Sequence, residues 1–349
     1  MQGRGRDFAP ATSECPPITY ASHMDILLTH TSALEAMRLP ELPLLVKRWG
    51  DDAAELPDRI PKVSELRGIL EGDPLLQRLS RPIELLVASD ATAHSCHLFT
   101  RHVTRLSHPG NPYLRIGEKV LVVCPELVAL QGCRKASRIE GALLMSELCG
   151  TYAMRAPGIA EQRQEPLVAK REIVRMVNLM SGSHGTRRAR EAIPLACELA
   201  ASPAESKLAA LIQAPPSLGG YGLRATPPSD VGLGPLWCEQ ARSGCGGGIL
   251  LLRPYPLFES HGSPTRGVVI RIKTEASPTL EELDEQDEGL QGFGLETVVI
   301  TEHDASDPSR LDDLVRDVRD RLGMVCVPSA GQREKRLELL SELERVTSV

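Results

Sequence analysis

Aromatic side chains are scarce in this sequence: two Trp, five Tyr and four Phe make up 3% of 349 residues. Its cores must therefore be built from Leu, Val, Ile and Ala, and few rings are left to stack on unpaired bases, which argues against a single-strand-binding platform. No apolar run approaches the length, about 20 residues, that crosses a bilayer. Nine cysteines are scattered without a Cys-x-x-Cys pair. The nearest approach to ligand spacing, His94, Cys96 and His97, lacks the second half-site that tetrahedral zinc requires. The buried-looking cysteines read as small hydrophobes in a reducing cytoplasm. Phosphate loops are missing too: Gly219-Gly220-Tyr221-Gly222 and Cys245-Gly246-Gly247-Gly248 match neither phosphate-binding template and read as tight turns. No G-x-S-x-G elbow is present.

What remains is an ordinary globular composition, 42% hydrophobic and 25% charged, with a net charge of −6 that argues against tight nonspecific DNA binding. The first residues, MQGRGRDFAPATSECPP, carry basic groups without an apolar segment after them. A disordered leader over 1–22 is expected rather than a secretion signal.

A mixed α/β recognition domain is expected over 23–153. Thr31 or Ser32 is expected to cap a first helix, and Ser64 a second. Strands are expected at Ile83–Ala88, Leu98–Leu106, Tyr113–Ile116 and Lys119–Val123. Pro125 stands at a helix N1 position, and a further helix is expected from Ile139 to Tyr152. A Pro- and Gly-bearing connection (154–168) and two helices (169–180 and 186–200) read as a helical connector over 154–200. Ser202-Pro203-Ala204-Glu205 is a capping box that opens a helix to Gln213.

The last third alternates helix and strand: Gly248–Leu252, Gly267–Lys273, an acidic helix at 279–291, Leu295–Thr301, and a helix from Pro308 to Leu322. This order builds a small mixed sheet with flanking helices, over 201–325. A charged helix closes the chain within 326–349.

Gly267-Val268-Val269-Ile270-Arg271-Ile272-Lys273 reads as a buried strand ending in Arg-x-Lys. With it, SPAESKLAALIQAP followed by GGYGL, and upstream THTSALEAMR, VLVVCPELVALQ and SELCGTYA, resemble a set of bacterial proteins with a domain similar to very-short-patch-repair endonucleases, in the PD-(D/E)xK superfamily. The likeness covers most of 24–323. It implies a restriction-endonuclease-like mixed sheet flanked by helices, and a magnesium ion held by carboxylates from a first helix, a hairpin and the next strand. Glu205 matches the helix acid. The hairpin acid is expected near Gly246–Leu250, where CGGGILLL offers none. Arg271 stands at the strand-acid position, with Lys273 two residues on. A later helix matches at Asp284, but Asp287 stands where an Arg is expected.

One carboxylate does not hold magnesium usefully, so the resemblance implies a remnant catalytic site of Glu205 and Lys273 with no cofactor. Glu275, or Glu259, would have to complete a metal site with Glu205 if the enzyme is active with Mg. Glu205 also reads as a simple cap acid bonded to the Ser202 amide, and Lys273 as a strand-end surface lysine. Arg271 and Lys273 can instead hold a phosphate directly.

Residues 155–190 carry eight basic and three acidic side chains, and Arg187, Arg188 and Arg190 follow a turn at a helix start. They are expected either to meet DNA phosphates or to form a solvated helix face. Residues 281–320 carry fourteen acidic and three basic side chains, a field that repels DNA. Three functions follow from these residues and the resemblance. The first is a catalytically impaired endonuclease-like protein that associates with DNA, in bacterial defence or a toxin–antitoxin-like system. The second is an active endonuclease with displaced acids. The third is a protein-interaction module using the acidic helices 279–291 and 308–322. None involves a membrane.

Overall fold

A computed structural model describes residues 25–42, 44–45, 56–88, 95–104, 112–156, 158–233, 235, 237, 248–252, 266–273, 290–324 and 332–347. The expected leader lies outside these residues, as do Glu259, Glu275, Asp284, Asp287, His94 and nearly all of the acidic helix 279–291.

Ile26–Leu28 forms strand β1, wholly buried, and runs into helix α1, His30–Met37. The helix starts earlier than expected, with Thr29 at the N-cap. The reason is tertiary: the His30 amide donates to Gln131 Oε1 at 3.0 Å and the Thr31 amide to Glu84 Oε2 at 2.6 Å. Side chains from elsewhere in the fold thus satisfy the helix-end donors that a local cap would otherwise take. Helix α2, Val63–Gly72, is likewise capped from Lys62 rather than Ser64: the Lys62 amide donates to Glu65 at 2.9 Å. A short helix α3, Pro74–Gln77, follows.

Strands β2 (Ile83–Val87), β3 (Phe99–Val103), β4 (Tyr113–Arg115) and β5 (Val120–Val123) complete a sheet of order β3-β2-β1-β5-β4. β1 is parallel to β5 and antiparallel to β2. Helix α4 is Pro125–Gly132, with Pro125 at N1 as expected. Helix α5, Arg138–Cys149, is opened by a Ser137–Glu140 capping box and is buried along most of its length. A Cβ on its Gly141 would stand 3.1 Å from Ala192 Cβ and 2.9 Å from Cys133 Sγ, so this glycine sets how closely the neighbouring helix packs.

The connection expected at 154–168 is in part a hairpin, β6 (Tyr152–Ala156) and β7 (Ile159–Gln162). Gly158, at φ +73°, turns the chain between them. β7 is fully exposed and gives no alternating apolar signal. Helices α6 (Lys170–Leu179) and α7 (Thr186–Ala192) bury Ile173, Met176, Val177, Ala189 and Ala192 in the same apolar cluster as β1 and α5. The helix expected to run to 200 stops at Ala192, where Pro194 lies in a 3-10 turn over Ile193–Leu195.

Helix α8, Pro203–Gln213, leads to the GGYGL segment. Tyr221 is its anchor. Its hydroxyl donates to Asp312 at 2.8 Å, its carbonyl accepts from Arg319 at 2.8 Å, and the Arg336 guanidinium lies 4.0 Å over its ring.

The second sheet has the order β10-β9-β8, from Ile249–Leu252 (β8), Gly267–Lys273 (β9) and Leu295–Thr301 (β10). β8 is antiparallel to β9, β10 is parallel to it, and Ala225 forms an antiparallel bridge to Leu251 on the far side of β8. Helices α9 (Glu302–Ser306), α10 (Pro308–Arg321) and α11 (Gln332–Thr347) follow.

Strand alternation divides β9. Val268, Ile270 and Ile272 join the large core with Leu208, Leu211 and Val315. Val269 belongs to a smaller cluster on the other face with Leu199, Trp237 and Leu250. Each fully buried aliphatic side chain contributes about 1.5–3 kcal/mol, so the register of β9 is strongly set. The fold is α/β, and among the described residues no helix is long and apolar enough to cross a membrane.

Candidate functional site

Glu205, Gly248 and Arg271 meet where α8 approaches β8 and β9. Ser202 caps α8 as expected, its Oγ accepting from the Glu205 amide at 3.2 Å. The Glu205 carboxylate reaches further back than a capping box requires. Its Oε2 accepts from the Ala201 amide at 2.7 Å, and its Oε1 accepts from the Gly248 amide at 3.2 Å. The side chain is 1% exposed. Charge-assisted bonds to backbone amides, at a helix N-terminus, are what allow a carboxylate to be buried there.

Arg271 lies in the middle of β9, also 1% exposed. By alternation it falls on the Val269 face. Gly248, at φ +83°, packs against its stem: a Cβ at 248 would lie 3.1 Å from Arg271 Cγ and 2.9 Å from the Ile270 carbonyl oxygen. The segment where the resemblance expects a hairpin acid therefore has no space for a side chain at residue 248. The carboxylate of an α8 acid and the aliphatic stem of a β9 arginine both abut this one glycine.

A second buried carboxylate, Glu198, stands on the same side. It accepts from the Lys170 amide at 3.0 Å and from the Ser229 hydroxyl, while Lys170 Nζ donates to the Ala196 carbonyl at 2.6 Å. Burial, partly opposed by Cys197, Cys149 and Glu198, lowers the Lys170 ammonium from its ordinary value. The cavity bounded by Lys170, Glu198, Gly248 and Leu250 is about 10 Å³, the volume of about one water.

These residues do not fit a magnesium site. The one matching carboxylate is bonded to two amides, and an arginine occupies the strand position, where a cation repels a metal ion. Among the described residues no three His, Cys, Asp or Glu side chains are grouped to hold a metal ion. Lys273 ends β9 exposed, in register with Thr301 of β10.

The arginines of the 186–192 helix go separate ways. Arg187 pairs with Glu191 at 2.9 Å and is otherwise in solvent. Arg188 donates to the Arg134 carbonyl at 2.8 Å, tying α7 to the end of α4. Arg190 donates to Ser181 at 3.0 Å. Only Arg187 and Arg190 of the three are exposed.

Sequence reasoning passed over a second constellation, at the N-terminal sheet. His30, at φ +49°, stacks on His102 with ring centroids 3.9 Å apart. His102 Nε2 lies 3.2 Å from Glu84 Oε1, and His30 Nε2 lies 3.4 Å from Arg134 Nη1. Burial, and then His102, lower the His30 imidazole to about 4. Burial opposes ionisation of Glu84, but the bonds from His102 and the Thr31 amide outweigh it and hold the carboxyl at about 2. The three residues come from α1, β2 and β3, so no spacing in the sequence links them.

No family model, curated protein or solved structure matches this chain.

Proposed function

We propose that residues 201–325 form a nuclease-type unit whose metal pocket has become a structural junction, and that the protein associates with DNA without cutting it. The arrangement of one helix, an antiparallel strand pair with Ala225 bridged to its edge, and a parallel third strand supports this reading. It follows the order that the resemblance implies. The observation that carries it is Glu205. A ligand acid has to present its oxygens to an ion, whereas this carboxylate accepts from the Ala201 and Gly248 amides and is buried beside a strand arginine.

On this reading Lys273 at the strand end and the exposed Arg187 and Arg190 of the 186–192 helix meet DNA phosphates, while Arg271, 1% exposed, does not. A role in bacterial defence, or in a toxin–antitoxin-like system, belongs to this reading through the resemblance. Protein mimicry of DNA by the helix Pro308–Arg321 has less behind it. Asp313 pairs with Arg316, Asp317 with Arg321 and Asp312 with Arg336, which neutralises much of its acidic face.

The test is a supercoiled plasmid incubated with manganese, alongside a gel shift at low and moderate salt. The reading expects a salt-dependent shift and no nicked product. Nicking that is lost in Glu205→Ala would establish the active enzyme instead.

A further inference from the structure

Two cavities meet at His30 and His102. They are about 340 and 390 Å³ and share His30, His102, Gln131 and Arg134 in their walls. The histidine pair thus stands between two open spaces, each large enough for part of a small organic ligand. One is walled further by Leu86, Leu127 and Met180, the other by Leu34, Val128 and Leu144.

The polar groups between them are held in fixed roles. Thr29 Oγ1 donates to Gln131 Oε1 at 3.0 Å, so it accepts from His30 Nδ1 at 3.1 Å. That bond places the His30 proton on Nδ1 and leaves Nε2 facing Arg134. Gln131 Oε1 also takes the His30 amide, which holds this residue at positive φ, uncommon for a residue other than glycine. Strain of this kind persists where the surroundings enforce it, and it clusters at ligand sites. Among the described residues Glu84 is the one carboxylate lining either space, and its oxygens already accept from the Thr31 amide and face His102. Against it stand Arg101, Arg134 and Lys135, with His184 at the outer wall. The first amides of α1 are taken by Gln131 and Glu84, so the cationic side chains, not the helix end, supply the field.

We propose that this cleft binds an organic phosphomonoester. The dianionic phosphate sits at His102, Arg134 and Lys135, and the esterified group lies against one of the apolar walls. A guanidinium and an ammonium at one rim match a doubly charged phosphate better than a single carboxylate. The apolar walls favour an ester over the free ion. A mononucleotide and the 5′-phosphorylated end of a nucleic-acid strand share this chemistry. The site is separate from the Glu205 junction and does not depend on the nuclease-type reading.

The experiment is calorimetric titration of the full chain with adenosine 5′-monophosphate, adenosine, inorganic phosphate, and a short oligonucleotide with and without a 5′-phosphate. His30 and His102 ring signals are followed by NMR. Saturable binding of the monophosphate is expected, with both ring signals moving and affinity at least tenfold above that for adenosine or the unphosphorylated strand. Arg134→Gln combined with Lys135→Gln, both exposed positions that leave the core intact, is expected to weaken it about tenfold or more. A phosphorylated strand that binds more tightly than the mononucleotide assigns the ligand to strand ends; equal affinity assigns it to free esters. The proposal is overturned if no phosphate compound saturates the histidine signals. Equal binding of adenosine, or unchanged affinity in the double variant, also overturns it.

Discussion

The Gly248 amide donates to Oε1 of Glu205 at 3.2 Å, while the Arg271 stem fills the volume that a side chain on Gly248 would need. A helix acid and a strand arginine are thereby locked around a residue without a side chain. Glu205 acts here as a joint between α8 and β8.

Gly248→Ala tests the lock. Its φ of +83° and a Cβ 2.9 Å from the Ile270 carbonyl make any side chain costly. A loss of about 1–3 kcal/mol is expected, read as a lower urea midpoint with unchanged slope. A neutral substitution would mean that the β8 start can relax away from Arg271.

Glu205→Gln separates a joint from a ligand. Both oxygens face amide donors, so a carboxamide must turn its NH2 towards one of them. Destabilisation of about 2–3 kcal/mol is expected. Functional acids more often destabilise the fold that carries them, so a gain in stability on this change would favour a ligand role.

Arg38 makes a two-pronged pair with Glu147, at 2.8 and 2.7 Å, and Glu147 is 4% exposed. Glu147 also accepts from the Met154 amide at 3.0 Å, which joins α1, α5 and the hairpin. Glu147→Ala is expected to cost about 3 kcal/mol, since it leaves a partly buried guanidinium and an amide without their acceptor. Thermal unfolding measures it.

Acid should weaken the fold in two stages. The His30 imidazole is lowered from 6.5 to about 4, so between those values the unfolded chain binds the extra proton and stability is lost as pH falls. Glu84 is depressed from 4.5 to about 2, so its contribution is present above 4.5 and is lost as pH falls towards 2. Urea midpoints from pH 7 to 3 should show both losses. His30→Asn, which tolerates the left-handed backbone, should remove the first stage and, by taking away the His30 charge near Glu84, shrink the second. An unchanged profile in that variant would refute the assignment.

The sequence was most legible where one physical signal dominated. β9 and β10 run over the residues expected for them, because continuous β-branched stretches bounded by Gly and charge leave little choice of element. Ser202 and Pro203 likewise marked the start of α8. The exposed hairpin at 152–162 escaped because β7 has no buried face, and its Gly turn resembles a linker. The starts of α1 and α2 were displaced since their first amides donate to Gln131, Glu84 and Glu65 rather than to the nearest Ser or Thr. At the candidate junction, the resemblance set Arg271 where an acid is expected. It did not show that Gly248 lies between that arginine and Glu205, because this contact joins segments 43 and 23 residues apart on either side of the glycine. The histidine cleft was invisible for the same reason: His30, Glu84 and His102 meet only through sheet pairing.

Calorimetric titration of the purified chain with manganese bears most directly on the claim that the carboxylate pocket is closed. No saturable heat is expected for the native protein. Manganese binding at micromolar concentration that disappears in Glu205→Gln would contradict the account.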